Sequence, residues 1–207
     1  MSSEPGAVRP GGRTARVRAA VLRAAGDLLA EKGFGALDLT EVAACAGVGK
    51  TTVYRRWGTP TAVVTDLLTA MAEDSVPRAD TGSLREDLLA NARLVLDTLT
   101  DARQGRLFRA VVAAGTADPA TEAALRRFYD IRLTEWAPCV TDGIARREAP
   151  AGTDPRAVLS AVSAPFYYRL LISGDPLDDA VAVTAVDAVL DAVAASRFVA
   201  NAPSTSR

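Results

Sequence analysis

The sequence predicts an all-α chain, and three observations carry that prediction. Apolar residues recur at helical spacing almost throughout, as in Val17, Val21, Ala24 and Leu28, or Val63, Val64, Leu67, Leu68 and Met71. The composition is rich in Ala, Leu and Arg, all good helix formers, and strand-type residues other than Val are sparse. Gly, Pro and Asp then cut the chain into segments of ordinary helix length.

Taken in order, residues 1–12 hold Pro5, Gly6, Pro10, Gly11 and Gly12 and are expected to be a disordered tail, as is 201–207. A first helix is predicted from about Thr14 to Lys32, stopped by Gly33, with Phe34 and Leu37 anchoring the connection. Thr40 is a natural N-cap for a short helix through Ala46, and Gly47 permits the turn that follows. Gly49 caps a second short helix, Lys50 to Trp57, and Gly58 stops it. Thr59 and Pro60 form a cap and first-turn pair for a longer helix reaching about Val76. Residues 77–83 read as a linker. Further helices are expected at about 83–101, 104–116, 119–147, 154–173 and 176–200, with a kink or break near Pro138 and Pro165.

Composition bounds the function. A chain of 207 residues with 49% hydrophobic and 24% charged residues suits one domain, or a small one joined to a larger one. Net charge is −1, but residues 1–60 carry +4 and the remainder −5, so a polyanion is expected to meet the N-terminal end. The chain has no histidine, which removes the commonest metal ligand and general base. Cys45 and Cys139 are far apart and show no metal-ligand spacing. We therefore expect no catalytic residues, no metal and no cofactor. No apolar run resembles a signal peptide or a membrane span, and a reduced cytoplasmic protein with no membrane partner is expected.

Residues 40–57, T-E-V-A-A-C-A-G-V-G-K-T-T-V-Y-R-R-W, point toward two different molecules. Ala44 to Thr51 reads A-x-x-x-x-G-K-T, one residue from a phosphate-binding loop, which would make a nucleotide hydrolase. Such a loop needs a buried strand ahead of it, whereas Thr40-Glu41-Val42-Ala43 is short, capped and helically spaced. The candidate acidic partners, Asp97 and Asp191, also fall inside helical patterns, so no α/β sheet is available. The same residues read better as a helix-turn-helix. With Val53 and Trp57 facing inward, Thr51 and Arg55 face outward, Thr52 and Tyr54 flank them, and Lys50 reaches from the first turn. Short hydroxyls beside long donors are what a DNA-reading helix presents.

In order and in spacing, Gly33-Phe34, Leu39-Thr40, Val42-Ala43, Ala46-Gly47-Val48, Thr52-Val53-Tyr54 and Trp57 resemble the TetR family of bacterial transcriptional regulators, over about residues 14–70. The resemblance implies a three-helix helix-turn-helix DNA-binding domain at 13–58. It also implies a helical ligand-binding and dimerisation domain at 59–200, making a homodimeric repressor that binds a palindromic double-stranded DNA operator and is released by a small-molecule effector. An activator, or a regulator without an effector, would have the same DNA-binding head. Carried over by position, Lys50, Thr51, Thr52, Tyr54 and Arg55 become DNA contacts, with Thr40 on a phosphate and Arg16, near the start of the first helix, a further candidate contact. Two positions depart from the family pattern: Pro60 replaces a common lysine, and Gly49 replaces the usual serine cap.

In the body, Val158, Val162 and Phe166, with Ala182, Val186, Val189 and Val193, form stripes at helical spacing, which either pack within one chain or, as the family resemblance implies, pair two copies as a four-helix bundle. An effector pocket is expected among the middle helices, at Phe108, Arg109, Phe128, Tyr129, Arg132, Trp136, Phe166 and Tyr167.

Overall fold

A computed structural model describes residues 11–74 and 77–199. Among them the chain forms nine α-helices and no strand. They are α1 (Gly11–Lys32), α2 (Leu39–Cys45), α3 (Lys50–Arg56), α4 (Pro60–Glu73), α5 (Leu84–Thr100), α6 (Gln104–Gly115), α7 (Pro119–Ala145), α8 (Pro155–Tyr168) and α9 (Asp179–Ala194). A 3₁₀ turn, Phe34–Ala36, joins α1 to α2, and a π-helical turn, Arg169–Ser173, extends α8. The tails expected before Pro10 and after Val199 lie outside the described residues.

Helix starts follow local chemistry. Thr59, Ser83, Asp118, Asp154 and Asp178 each cap the next helix by accepting a backbone N–H. Pro60, Pro119 and Pro155 occupy first-turn positions, where a missing N–H costs nothing. The turn between α2 and α3 depends on Gly47, whose φ of 64° is disfavoured for residues with a Cβ.

Several expectations are corrected. The cap of α2 is Asp38, not Thr40: its side chain accepts the Thr40 N–H at 2.5 Å, so the helix starts two residues early. Gly11 and Gly12, expected in the disordered tail, already belong to α1. Helix α9 starts at Asp179 rather than 176, because Asp178 caps it. It ends at Ala194, where the Ser196 N–H reaches Val193 O and the Arg197 N–H reaches Ala192 O. Val199 then bridges Thr153, and Phe198 O accepts the Asp154 N–H at 2.8 Å. Helix α7 runs unbroken through Pro138, whereas α8 gives way to the π turn four residues after Pro165.

One apolar core runs through the molecule, from Val21, Val42 and Val53 at the N-terminal end to Phe166 and Val186 at the other. Helix α1 packs against α2, α4 and α6, so the N-terminal helices are seated on the body. Helix α4 packs on α7, and α5, α8 and α9 pack on one another.

That last packing overturns the predicted dimer stripe. Val158, Val162, Phe166, Ala182, Val186, Val189 and Val193 are all buried within a single chain. Their helical spacing marks the inner faces of α8 and α9, which pack on each other and on α5. Side chains already covered by their own chain have no surface left to offer a second copy.

Candidate nucleic-acid interface and cavity

Helix α3 has two unlike sides. Val53 is fully buried and Trp57, which ends the helix, is buried with it. Lys50, Thr51, Tyr54 and Arg55 are exposed on the other side, and Thr52 is half-buried between them. Tyr54 is 48% exposed despite being aromatic. Its hydroxyl lies 3.4 Å from the Thr40 Oγ1 of α2, which brings two predicted contact residues together across the turn. Because α2 is a helix and not a strand, the G-K-T sequence has no phosphate-loop geometry.

Arg16 is exposed on α1, but its Nε donates to its own backbone at Gly12 O, 3.1 Å away. The cationic residue of α1 that stands nearer the turn is Arg13. It lines a cleft with Gly49, Thr52, Arg55 and Arg56 that sequence reasoning missed. The net positive charge of residues 1–60 was the available signal, but no spacing rule links Arg13 to Arg56. Arg56 also lies over the Trp57 ring, 5.0 Å from its centroid.

Trp57 is fixed by a half-buried polar latch. Its Nε1 donates to Asp66 Oδ2 at 2.9 Å, and Arg18 donates to Asp66 Oδ1 from Nε at 3.0 Å and from Nη2 at 2.7 Å. Burial alone would push the Asp66 carboxyl up. The hydrogen bonds from Arg18 and Trp57, with the Arg18 charge, outweigh it and hold the carboxyl below the usual carboxylate range. This latch joins α1, the end of α3 and α4. A second ion pair, Arg103 with Asp27, ties the start of α6 to α1.

In the body, a cavity of about 90 Å³ lies among α5, α6, α7 and α8. Of the predicted pocket residues, Phe108, Phe128, Tyr129, Arg132, Trp136 and Tyr167 line it. Arg109 and Phe166 do not: Arg109 is exposed elsewhere on α6, and Phe166 is wholly buried in the core. Asn91, Val95, Thr98, Leu133, Leu159 and Ser163 complete the lining and were missed, being ordinary helix residues in sequence. The aromatic rings form a chain, Phe108 to Phe128 to Tyr129 to Tyr167, with centroids 5.7, 5.2 and 5.6 Å apart. Burial, and then the neighbouring Tyr167, push the Tyr129 phenol up, so it stays neutral.

A second, larger cavity of about 590 Å³ adjoins the first. Thr98, Phe108, Phe128 and Arg132 line both. Its far side is the inner face of α1, at Arg18 and Leu22, and of α4, at Leu67 and Met71.

Comparison with known proteins agrees with this geometry. Residues 21–65 match the family described as bacterial regulatory proteins, tetR family, and residues 78–189 match the tetracyclin repressor-like C-terminal domain. The chain belongs to the TetR family. It is 34% identical over 161 residues to the HTH-type transcriptional regulator YdeS of Bacillus subtilis, covering 77% of this chain and 81% of that protein. It is 32% identical over 176 residues to the DNA-binding transcriptional repressor TetR of Mycobacteroides abscessus, covering 83% and 90%. The solved structure of the TetR family transcription regulator SCO0332 superposes with a TM-score of 0.68 at 30% identity, covering 86% of this chain and 98% of that one. This TetR-family member is thus a DNA-binding transcriptional regulator and not an enzyme. No helix among its described residues is long and apolar enough to cross a membrane.

Proposed function

We propose that the protein is a cytoplasmic homodimeric repressor that binds a palindromic operator through α3 and is released when a small molecule occupies the body, with the DNA-binding part ending near Gly58. The observation that carries the proposal is the two-sided α3: Lys50, Thr51, Tyr54 and Arg55 face outward while Val53 and Trp57 lock the helix to the core. Only a helix held this firmly can present four polar side chains in one fixed frame to a DNA groove. The described N-terminal surface adds Arg13 and Arg56 beside them for phosphates.

A palindrome requires two copies with recognition helices roughly 34–36 Å apart, one turn of DNA. The outer faces of α8 and α9 are suited to pairing them. Ala164 of α8, with Thr184 and Ala188 of α9, are small and exposed, and Ala157 and Ala161 beside them on α8 are half-buried. At the end of this face Tyr168 is 59% exposed and Ile172 is 73% exposed, a conspicuous apolar patch for an isolated chain.

The test is binding to DNA from the promoter of its own or an adjacent gene. Arg55→Ala and Tyr54→Phe are each expected to weaken binding at least several-fold. Affinity should fall with salt at a log–log slope of about −0.9 for each phosphate contacted. Both variants retarding this DNA like the wild type would remove the assignment of this face.

A further inference from the structure

The smaller cavity has a chemistry of its own. Trp136 is 3% exposed, and its indole Nε1 has no hydrogen-bond partner among the described residues. A buried N–H left unpaired costs stability, so a native protein that keeps one at a cavity wall has a reason to keep it. Arg132 stands one helical turn before Trp136 on the same face of α7, and both line the cavity. Among the described residues no carboxylate lines it; Glu135, which pairs with Arg132 at 3.2 Å, lies outside the lining. The remaining wall combines the aromatic chain that begins at Phe108 and Phe128 with aliphatic side chains and the neutral polar Asn91, Thr98 and Ser163.

We infer that this site takes an aryl carboxylate, with the carboxylate held between the Arg132 guanidinium and the Trp136 indole N–H and the ring against Phe108 and Phe128. The inference rests on the proposed effector-released repressor, and it names the effector's chemical class. A cation would face Arg132 with no carboxylate in the lining to pair with. A purely apolar molecule would leave the Trp136 N–H unpaired. An aromatic acid satisfies the donor, the cation and the rings at once.

Size points the same way. At about 90 Å³ the cavity is smaller than the roughly 150 Å³ that accepts a benzene ring. An aromatic occupant must therefore displace part of the wall shared with the larger cavity, where Phe108, Phe128 and Arg132 sit. Arg18, Arg23, Arg103 and Arg132 line the larger cavity, with Asp74 the one carboxylate among its described lining residues; Arg18, Arg103 and Arg132 are paired from behind with Asp66, Asp27 and Glu135.

The test uses the full-length dimer, with 1-naphthoate as probe and its methyl ester and 1-naphthylmethylammonium as controls. Calorimetry reads binding, and fluorescence anisotropy of labelled promoter DNA reads release. The acid is expected to bind at least about ten-fold more tightly than the ester, as for a hydrogen bond to a charged group. Arg132→Gln should abolish that preference, and Trp136→Phe should reduce acid affinity about ten-fold while the ring is kept. The acid-to-ester ratio is the readout, because a loss of folded protein does not alter it. The assignment is overturned if the acid does not bind, if ester or amine binds as well, or if neither variant changes the ratio. Binding of the acid without release of DNA leaves the site standing and removes the effector-release reading. Release by a compound of another class, with no binding of the acid, does the reverse.

Discussion

Replacing Asp66 with Ala removes one carboxylate and disconnects two partners at once. Trp57 Nε1 at 2.9 Å and the Arg18 guanidinium at 2.7 Å both lose their acceptor. Hydrogen bonds to a charged group contribute roughly 1.5–3 kcal/mol each when buried, and truncation leaves the donors unpaired. Here the side chains of Arg18 and Asp66 are 27% and 23% exposed, so water recovers part of the loss. We expect a net destabilisation of about 2–3 kcal/mol for Asp66→Ala. For a chain of this size each kcal/mol lowers the melting temperature by roughly 2–4 °C, which predicts a fall of about 5–10 °C. The assay is thermal unfolding followed by circular dichroism, with urea titration for the free energy. Trp57→Phe removes one hydrogen bond to the carboxylate and part of a buried ring and should cost about 2–3 kcal/mol. If the three residues form one latch, the double variant should fall short of the sum by at least about 0.5 kcal/mol. A coupling energy near zero, or an Asp66→Ala variant as stable as the wild type, refutes the latch.

The same carboxyl sets a pH dependence. Its folded pKa is depressed, so it stabilises the fold above the unfolded carboxylate value and loses that contribution as pH falls through the folded one. The stability gap between wild type and Asp66→Asn should thus be constant above about pH 5 and shrink below about pH 4. Gly105→Ala should destabilise by about 1–3 kcal/mol, because a Cβ there would lie 2.4 Å from the backbone oxygen of Leu99. Gly115→Ala, whose nearest atoms stand at 3.6 Å, should instead be neutral or gain about 0.5 kcal/mol in the same urea titration. With a thiol reagent the native protein should react once, at exposed Cys45. Cys139 is buried, and burial pushes its thiol up to about 12, so it should react only on unfolding. Ala188→Arg, on the outer face of α9, should give folded monomers by light scattering, whereas Val186→Arg, at a fully buried position, should unfold the chain.

That last pair shows where the sequence was and was not legible. Helices were readable because periodicity and caps are local: Thr59-Pro60 marks the start of α4 without any knowledge of its neighbours. Residues 40–57 were readable because a turn glycine, a buried Val53 and a buried Trp57 fix the facing of everything between them. The stripe on α9 was equally visible as a stripe. Periodicity says that one side of a helix is apolar, but not whether its own chain or a second copy covers it. Deciding between the two requires α5, whose packing on α9 is non-local. The Asp66 latch was hidden for the same reason: Arg18 and Asp66 are 48 positions apart. Asp38 was missed at short range, since Asp and Thr both cap well and only geometry chooses between them.

Helix α1 gives the regulatory proposal its physical route. Arg18 faces the larger cavity and also holds Asp66, which holds Trp57 at the end of α3. One guanidinium therefore separates the cavity wall from the residue that seats the recognition helix. A molecule that draws Arg18 toward the cavity weakens a latch worth a few kcal/mol, and allosteric coupling free energies are typically 1–3 kcal/mol. The ion pair of Arg103 with Asp27 ties α1 to the start of α6, and Arg103 also lines this cavity, so α1 is held by ion pairs from two of its lining arginines. In the proposed homodimer, a displaced α1 would carry α3 with it and change the spacing of the two recognition helices, and a spacing that departs from one turn of DNA cannot fill both half-sites.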